Sequence, residues 1–217
     1  MQTKDGRLIV VSGASRSGKT AWVRKQAAKL ARVLVWDIEA QWCDLPGFVK
    51  VTTRAALFEA IKKPGSARIA YVSSAADIRA EFDFWAACVM VWGRYRGGCV
   101  AIAEELADVS SPGKASQHWG ILIRRGLKRS ITIYAISQRW AEADKTAIGN
   151  ASEFIVFRAA GDDVAYIGKK ARIPLQDVEA LTPEYWDDEQ TRLKRGPYIS
   201  ATVTGKITRG EIKFPKP

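Results

Sequence analysis

Leu8-Ile9-Val10-Val11-Ser12-Gly13-Ala14-Ser15-Arg16-Ser17-Gly18-Lys19-Thr20 joins an apolar run to a loop of the form GxxxxGK[ST], and a helix-like stretch follows over residues 19–31. Strand, glycine-bracketed loop and helix in that order form a phosphate-binding P-loop. The two glycines let the backbone curl so that successive N–H groups and the start of the helix point at the phosphates of a nucleotide. Lys19 adds a mobile cation, and the Thr20 hydroxyl is placed to ligate Mg2+. The candidate nucleotide-binding residues are therefore Gly13, Ala14, Ser15, Arg16, Ser17, Gly18, Lys19 and Thr20, with ATP and Mg2+ as the expected cofactors.

Outward from this loop, short β-type runs alternate with helical periodicity. Strands are expected over residues 8–11, 33–36, 68–72, 99–103, 131–136 and 154–157, and helices over 19–31, 53–61, 78–95, 117–127 and 141–148. That alternation predicts an α/β fold with a mostly parallel central sheet flanked by helices, whose ligands gather beyond the carboxyl ends of the strands. Past Leu181 the pattern changes. Pro183, Gly196 and Pro197 interrupt it, and residues 198–203 and 206–214 read as a C-terminal β-hairpin turning at Thr204-Gly205-Lys206. The expected division is a core over 1–180 and a C-terminal extension over 181–217, with Phe214-Pro215-Lys216-Pro217 as a free tail.

Composition narrows the class. A chain of 217 residues, 47% hydrophobic, can bury one substantial core. No apolar stretch approaches the ~20 residues of a membrane span, and the polar start MQTKDGR does not read as a signal peptide, so a soluble protein is expected. Three cysteines, Cys43, Cys88 and Cys99, lack CxxC spacing and suggest a reducing compartment without a zinc site. Lys and Arg outnumber Asp and Glu by 34 to 23, a net charge of +11. Such an excess suits a polyanionic partner, with nucleic acid the natural one. Part of it clusters at Arg124, Arg125, Lys128 and Arg129 and again at Lys169, Lys170 and Arg172, although a solvated helix face gives the same pattern.

A P-loop needs a second strand to bring acid groups to the metal and to water. Val100-Ala101-Ile102-Ala103-Glu104-Glu105 is an apolar strand ending in two carboxylates, the pattern of a Walker B motif. Glu104 would hold the Mg2+ shell, although the usual residue there is Asp, and Glu105 would orient or deprotonate the attacking water. The following strand ends in Ser137-Gln138-Arg139, which makes Gln138 the candidate sensor of the γ-phosphate. Val33-Leu34-Val35-Trp36 ends in Asp37, a carboxylate suited either to the metal network or to capping a turn.

GASRSGKT, VLVWDIEAQW, VAIAEE and RRGLKRSITIYAISQR, in that order, resemble the FtsK/HerA-type P-loop ATPases, over residues 8–139. The chain is most similar to the genome-packaging ATPases of tailless, membrane-containing bacterial viruses. The resemblance implies a P-loop NTPase core of the additional-strand, RecA-like class. It also implies a homo-oligomeric ring, as a hexamer, that hydrolyses ATP to translocate double-stranded DNA into a preformed capsid, in the host cytoplasm or associated with the virion. Viral capsid or portal proteins would be its further partners. In such rings an arginine from the neighbouring subunit completes each active site, and Arg125 and Arg129, with Arg124, match the basic helix that supplies it.

Other readings start from the same loop. A small-molecule or nucleotide kinase would need an acceptor pocket and a mobile lid, for which Arg158-x-x-Gly161-Asp162-Asp163 is available. A nucleotide-dependent assembly or secretion factor of a filamentous virus would share the P-loop core. The i, i+7 pair Trp85 and Trp92 reads as a packing stripe, and His118, the one histidine, falls at a helix start rather than in a catalytic cluster.

Overall fold

The computed structural model describes residues 5–216. Seven parallel strands form the body of one sheet: β1 (Leu8–Ser12), β2 (Arg32–Trp36), β3 (Val49–Val51), β4 (Ala67–Tyr71), β5 (Cys99–Ala103), β6 (Ile131–Ser137) and β7 (Glu153–Val156). Their spatial order is β3-β4-β2-β5-β6-β1-β7. The decisive feature is that β6 pairs with both β1 and β5, so one strand separates the P-loop strand from the strand carrying the paired glutamates. This is the additional-strand arrangement.

Strands buried on both faces read as unbroken apolar runs, which is why LIVVS, RVLVW and ITIYAIS could be placed from sequence. Alternate side chains feed two cores. Leu8 and Val10 pack on one face, while Ile9 and Val11 pack on the other beneath α1 (Lys19–Ala27). The first face carries α2 (Arg54–Lys62), α3 (Ile78–Arg96), α4 (Leu106–Val109) and α5 (Gln117–Arg125). The tryptophan stripe belongs to this core: Trp85 and Trp92 are buried, and Phe82 stacks on Trp85 and tilts against Trp119. His118 lies at the start of α5, where Asp83 of α3 accepts the backbone N–H of His118 at 2.8 Å and faces its Nδ1 at 2.7 Å. That is a capping arrangement on a helix N-terminus.

The elements absent from the sequence reading are short, except for the amphipathic α7 (Asp163–Ala171), which buries Ile167, Gly168 and Ala171. β3 has three residues with a lysine at its centre, and α4, α7 and α8 (Leu175–Glu179) lie in stretches to which no element was assigned, although a helix face was one reading of Lys169, Lys170 and Arg172. α1 stops at Ala27 rather than 31, because residues 28–31 turn back to enter β2; the Leu30 N–H bonds the Ala27 carbonyl in that turn. The segment predicted over 141–148 is helical only in α6 (Lys145–Gly149), where Asp144 caps the Thr146 N–H.

The C-terminal hairpin is longer than expected. β9 (Leu193–Thr202) and β10 (Ile207–Lys213) pair antiparallel, and β9 also pairs antiparallel with β7, so the hairpin extends the main sheet; β8 (Glu184–Tyr185) adds to β9. Gly196 and Pro197, read as breakers, lie inside β9. The glycine is needed there, because a Cβ on Gly196 would come within 2.6 Å of the Ser17 carbonyl oxygen. Phe214 is not part of a free tail either: its N–H bonds the Lys194 carbonyl at 3.1 Å and its side chain packs with the second core.

Candidate active site

β1, β5 and β6 deliver their last residues to the same edge of the sheet. From β1 the chain enters the loop with Gly13 at φ 157° and reaches Arg16 and Gly18 in left-handed conformations, at φ 57° and 108°. Gly13 admits no side chain, since a Cβ there would lie 2.7 Å from the Phe157 Cβ and from the Ser17 Oγ. Lys19 begins α1 and folds back so that its Nζ donates to the Ala14 carbonyl at 2.9 Å. Burial pushes the Lys19 ammonium down to about 8, against the pull of Glu105 and then Glu104. Ala14 in turn donates its N–H to the Arg158 carbonyl at 2.6 Å.

Glu104 and Glu105 leave β5 in different environments. Glu104 is buried at 6% exposure and accepts the indole N–H of Trp42 at 2.8 Å. Burial raises its carboxyl to about 7; the Trp42 bond opposes that shift, the Glu105 charge adds to it and Lys19 opposes it. Glu105 adopts a left-handed backbone, φ 43° and ψ 60°, which turns its side chain off the strand line at the head of α4. A non-glycine residue in that region is strained by about 1–3 kcal/mol, and such strain concentrates at functional sites. Gln138, leaving β6, donates its Nε2 to the Glu105 Oε1 at 2.9 Å. Ser15, Glu105 and Gln138 all line a cavity of about 470 Å3, which runs into a second of about 440 Å3 over the P-loop.

Asp37 holds the wall of this site. Fully buried, its Oδ1 accepts the N–H of Gln41 at 2.8 Å, and its Oδ2 those of Trp42 and Cys43 at 2.9 and 3.0 Å. Both oxygens are committed, so of its two sequence readings the geometry favours the turn cap over the metal network. The cap brings Trp42 to Glu104, and Arg24 of α1 secures the same loop through the Gln41 carbonyl at 2.6 Å.

No protein-family model matches the chain. Over 192 residues it is 30% identical to protein P9 of Pseudoalteromonas phage PM2, covering 84% of this chain and 86% of P9. The chain belongs to the family of phage protein P9. Among solved structures, its fold matches the genome packaging NTPase B204 of Sulfolobus turreted icosahedral virus 2 in complex with ATP-gammaS, at TM-score 0.71 and 15% identity over 94% of this chain and 96% of B204. B204 of Sulfolobus turreted icosahedral virus gives 0.67 and 16% over 96% and 98%. The N-terminal domain of zonular occludens toxin from Neisseria meningitidis gives 0.51 and 11%.

In this P9-family chain the arginines read from the basic helix lie elsewhere. Arg125 ends α5 and Arg129 ends the 3-10 turn Leu127–Arg129, both before β6 begins. The seven residues of β6 span ~20 Å to Gln138, so neither side chain reaches the P-loop of its own chain. Other arginines do line the site: Arg16 and Arg24 over the P-loop, and Arg139, beside Gln138 and paired with Glu142 at 3.2 Å. Asp163 of the suspected lid accepts the Ala141 N–H at 3.0 Å, and the Arg158 carbonyl is bound to Ala14, so this segment is tied to the loop rather than hinged over it. Sequence reasoning missed Trp42 as the partner of Glu104, although Trp42 stands in the quoted stretch VLVWDIEAQW; no local pattern tells an indole that binds a carboxylate from one that packs.

The Glu104 environment makes a prediction about the nucleotide-free protein. Its folded value, about 7, exceeds the ordinary 4.5, so its contribution to stability is full below pH 4.5 and is lost as pH rises through 7. Glu104→Gln keeps an acceptor for Trp42 and cannot ionise. Its melting temperature should therefore gain on the parent as pH rises from 5 to 8, with a free-energy change on the order of 3 kcal/mol across that range. A thermal-shift difference independent of pH would contradict the burial of this carboxylate.

Proposed function

We propose that this protein is an ATP-hydrolysing motor that translocates double-stranded DNA and packages a viral genome into a preformed capsid. The observation that carries the hydrolytic part is Glu105, held by Gln138 at the mouth of the cavity that the P-loop opens into. A carboxylate so placed takes a proton from water. A kinase would require a seat for a second substrate and a closing lid, and the candidate lid is tied down. The packaging part rests on kinship with P9 and on a fold that matches the packaging NTPase B204 along nearly its whole length.

The residues present fit a magnesium nucleotide. Among the described residues no group of three or more His, Cys, Asp or Glu could hold a metal by itself. Mg2+ typically takes one or two protein oxygens and completes its shell with water and substrate phosphates, and the Thr20 hydroxyl and the Glu104 carboxylate supply such oxygens. When bound, the ion neutralises charge on the β- and γ-phosphates. With the Ala14 N–H held by the Arg158 carbonyl, the loop N–H groups after it, up to Thr20, cradle the phosphates, and the Lys19 ammonium leaves the Ala14 carbonyl to meet them. Gln138 orients Glu105 toward the water.

The motor acts as a ring, a hexamer, on duplex DNA, with capsid or portal proteins as its docking partners in the host cytoplasm or at the virion. Among the described residues no helix is long and apolar enough to cross a membrane. The net charge of +11 supports a partner bound through its phosphates. Duplex of any sequence should stimulate phosphate release. Its affinity should fall with salt, each phosphate contact adding a slope of roughly 0.9 in log K against log salt. Binding that is absent at low salt, or indifferent to salt, would remove the DNA-motor reading and return the kinase reading to favour. Electron microscopy with an ATP analogue and duplex would test the ring directly.

A further inference from the structure

The C-terminal hairpin lies against the phosphate site. Thr191, Leu193 and Phe214 line the 440 Å3 cavity together with the P-loop residues Ser15 to Ala21, Arg24, Glu105 and Gln138. The topology explains why. β9 runs antiparallel to the body of the sheet, so its first residue, Leu193, arrives at the edge where β1, β5 and β6 end. β10 is antiparallel to β9, so Phe214, just past its end, arrives at that edge too.

The contacts are close. A Cβ on Gly18 would meet the Ile212 Cγ2 at 3.0 Å and the Leu193 Cδ2 at 3.2 Å, and the Tyr185 hydroxyl lies 3.4 Å from the Arg16 carbonyl.

Sheet order then gives the site a direction. Glu105 follows β5, Gln138 follows β6, the P-loop follows β1, and Leu193 and Phe214 lie on the far side beyond β7. If Glu105 and Gln138 mark the γ-phosphate end, the remainder of an extended nucleotide must run from the loop toward β9 and β10. There the lining changes from charged and polar to an isobutyl group and an aromatic ring. The polar side chain at that end, Thr191, already donates its hydroxyl to Asp187, which also accepts the Thr191 and Arg192 N–H groups.

We propose that the C-terminal hairpin forms the nucleobase seat, with Phe214 and Leu193 holding the base by its face. The inference rests on the nucleotide-hydrolysis reading above and adds a substrate class to it. A seat that offers stacking and apolar contact, without an acid or amide side chain at that end among the described lining residues, reads the size of the ring system rather than its hydrogen-bonding edge. The site accepts purine nucleotides, ATP and GTP alike, ahead of pyrimidine nucleotides.

Calorimetric titration of ADP, GDP, CDP and inorganic tripolyphosphate into the parent, Phe214→Ala, Phe214→Leu and Leu193→Ala proteins tests this. Phe214→Ala should weaken ADP about tenfold, the size of one base–aromatic stack, and leave tripolyphosphate within twofold of the parent. Phe214→Leu and Leu193→Ala should fall between parent and Phe214→Ala for ADP. Unchanged tripolyphosphate affinity shows that the P-loop is still folded. ADP affinity undiminished in both Phe214→Ala and Leu193→Ala overturns the seat and leaves the hydrolysis reading intact. Parallel loss of ADP and tripolyphosphate in Phe214→Ala and Phe214→Leu alike also overturns it, because the ring would then support the loop rather than the base. A parental preference of more than a hundredfold between ADP and GDP overturns recognition by the face. A parent that binds neither ADP nor tripolyphosphate refutes the nucleotide reading itself.

Discussion

Glu105→Gln is expected to bind ATP with parental affinity and to hydrolyse it about 10²- to 10⁴-fold more slowly, the range lost when a positioned general base is removed. The substitution preserves length and leaves an oxygen to accept from the Gln138 amide, so the site keeps its shape and loses the proton acceptor. Lys19→Ala should fail differently. It removes the cation that meets the β- and γ-phosphates, so both binding and turnover collapse, and nucleotide titration separates the two variants. Parental turnover by Glu105→Gln in a steady-state phosphate assay would show that the β5 carboxylates are not the hydrolytic pair. Parental turnover by Glu104→Gln would narrow the metal site to Thr20 and water, because Asp37 has committed both oxygens to the N–H groups of residues 41–43.

Mixing should rescue what single variants lose. Lys19→Ala is inactive at its own P-loop, and Arg125→Ala or Arg129→Ala is expected to be inactive for want of a charge supplied to a neighbour. A mixed ring contains interfaces where an intact P-loop faces an intact arginine, and activity should return there. Where fingers act in trans they contribute about 10³ to 10⁵ in rate, so even a minority of restored interfaces is measurable above background. The geometry makes this a sharp test. Both arginines sit at the opposite end of β6 from Gln138, so neither can place its guanidinium at the P-loop of its own chain, and rescue on mixing would report a contribution made to a neighbour. If both arginine variants keep parental turnover at saturating DNA, neither is the finger, and Arg124 or Arg139 becomes the candidate. Full activity in a dilute, demonstrably monomeric sample would refute the ring mechanism.

The chain's own order was enough to read the P-loop, the strand of paired glutamates and the amide strand, because each is a contiguous run in which apolar residues set the strand and the next few residues carry the chemistry. Periodicity similarly exposed α3, with Trp85 and Trp92 on its buried face. Strand order could not come from periodicity alone. That β6 lies between β1 and β5 is a matter of pairing among segments more than 30 residues apart, and before the structure it rested on family resemblance.

Three features of the site became legible only in the folded structure, because the local patterns of the residues involved are ordinary. Asp37 looked equally suited to metal or turn until three backbone N–H groups were found on it. Trp42 carries no local sign of a role, and it is buried with its indole N–H on Glu104, 62 positions away. Gly196, Pro197 and Phe214 read as a break and a tail, because a strand crossing above a P-loop must give up side-chain bulk where it passes Ser17 and so loses the alternation by which strands are recognised. Sequence determines chemistry that is local along the chain. The direction in which a nucleotide lies, and which residues face its base, depend on how an antiparallel hairpin comes back to the sheet edge where the phosphates bind.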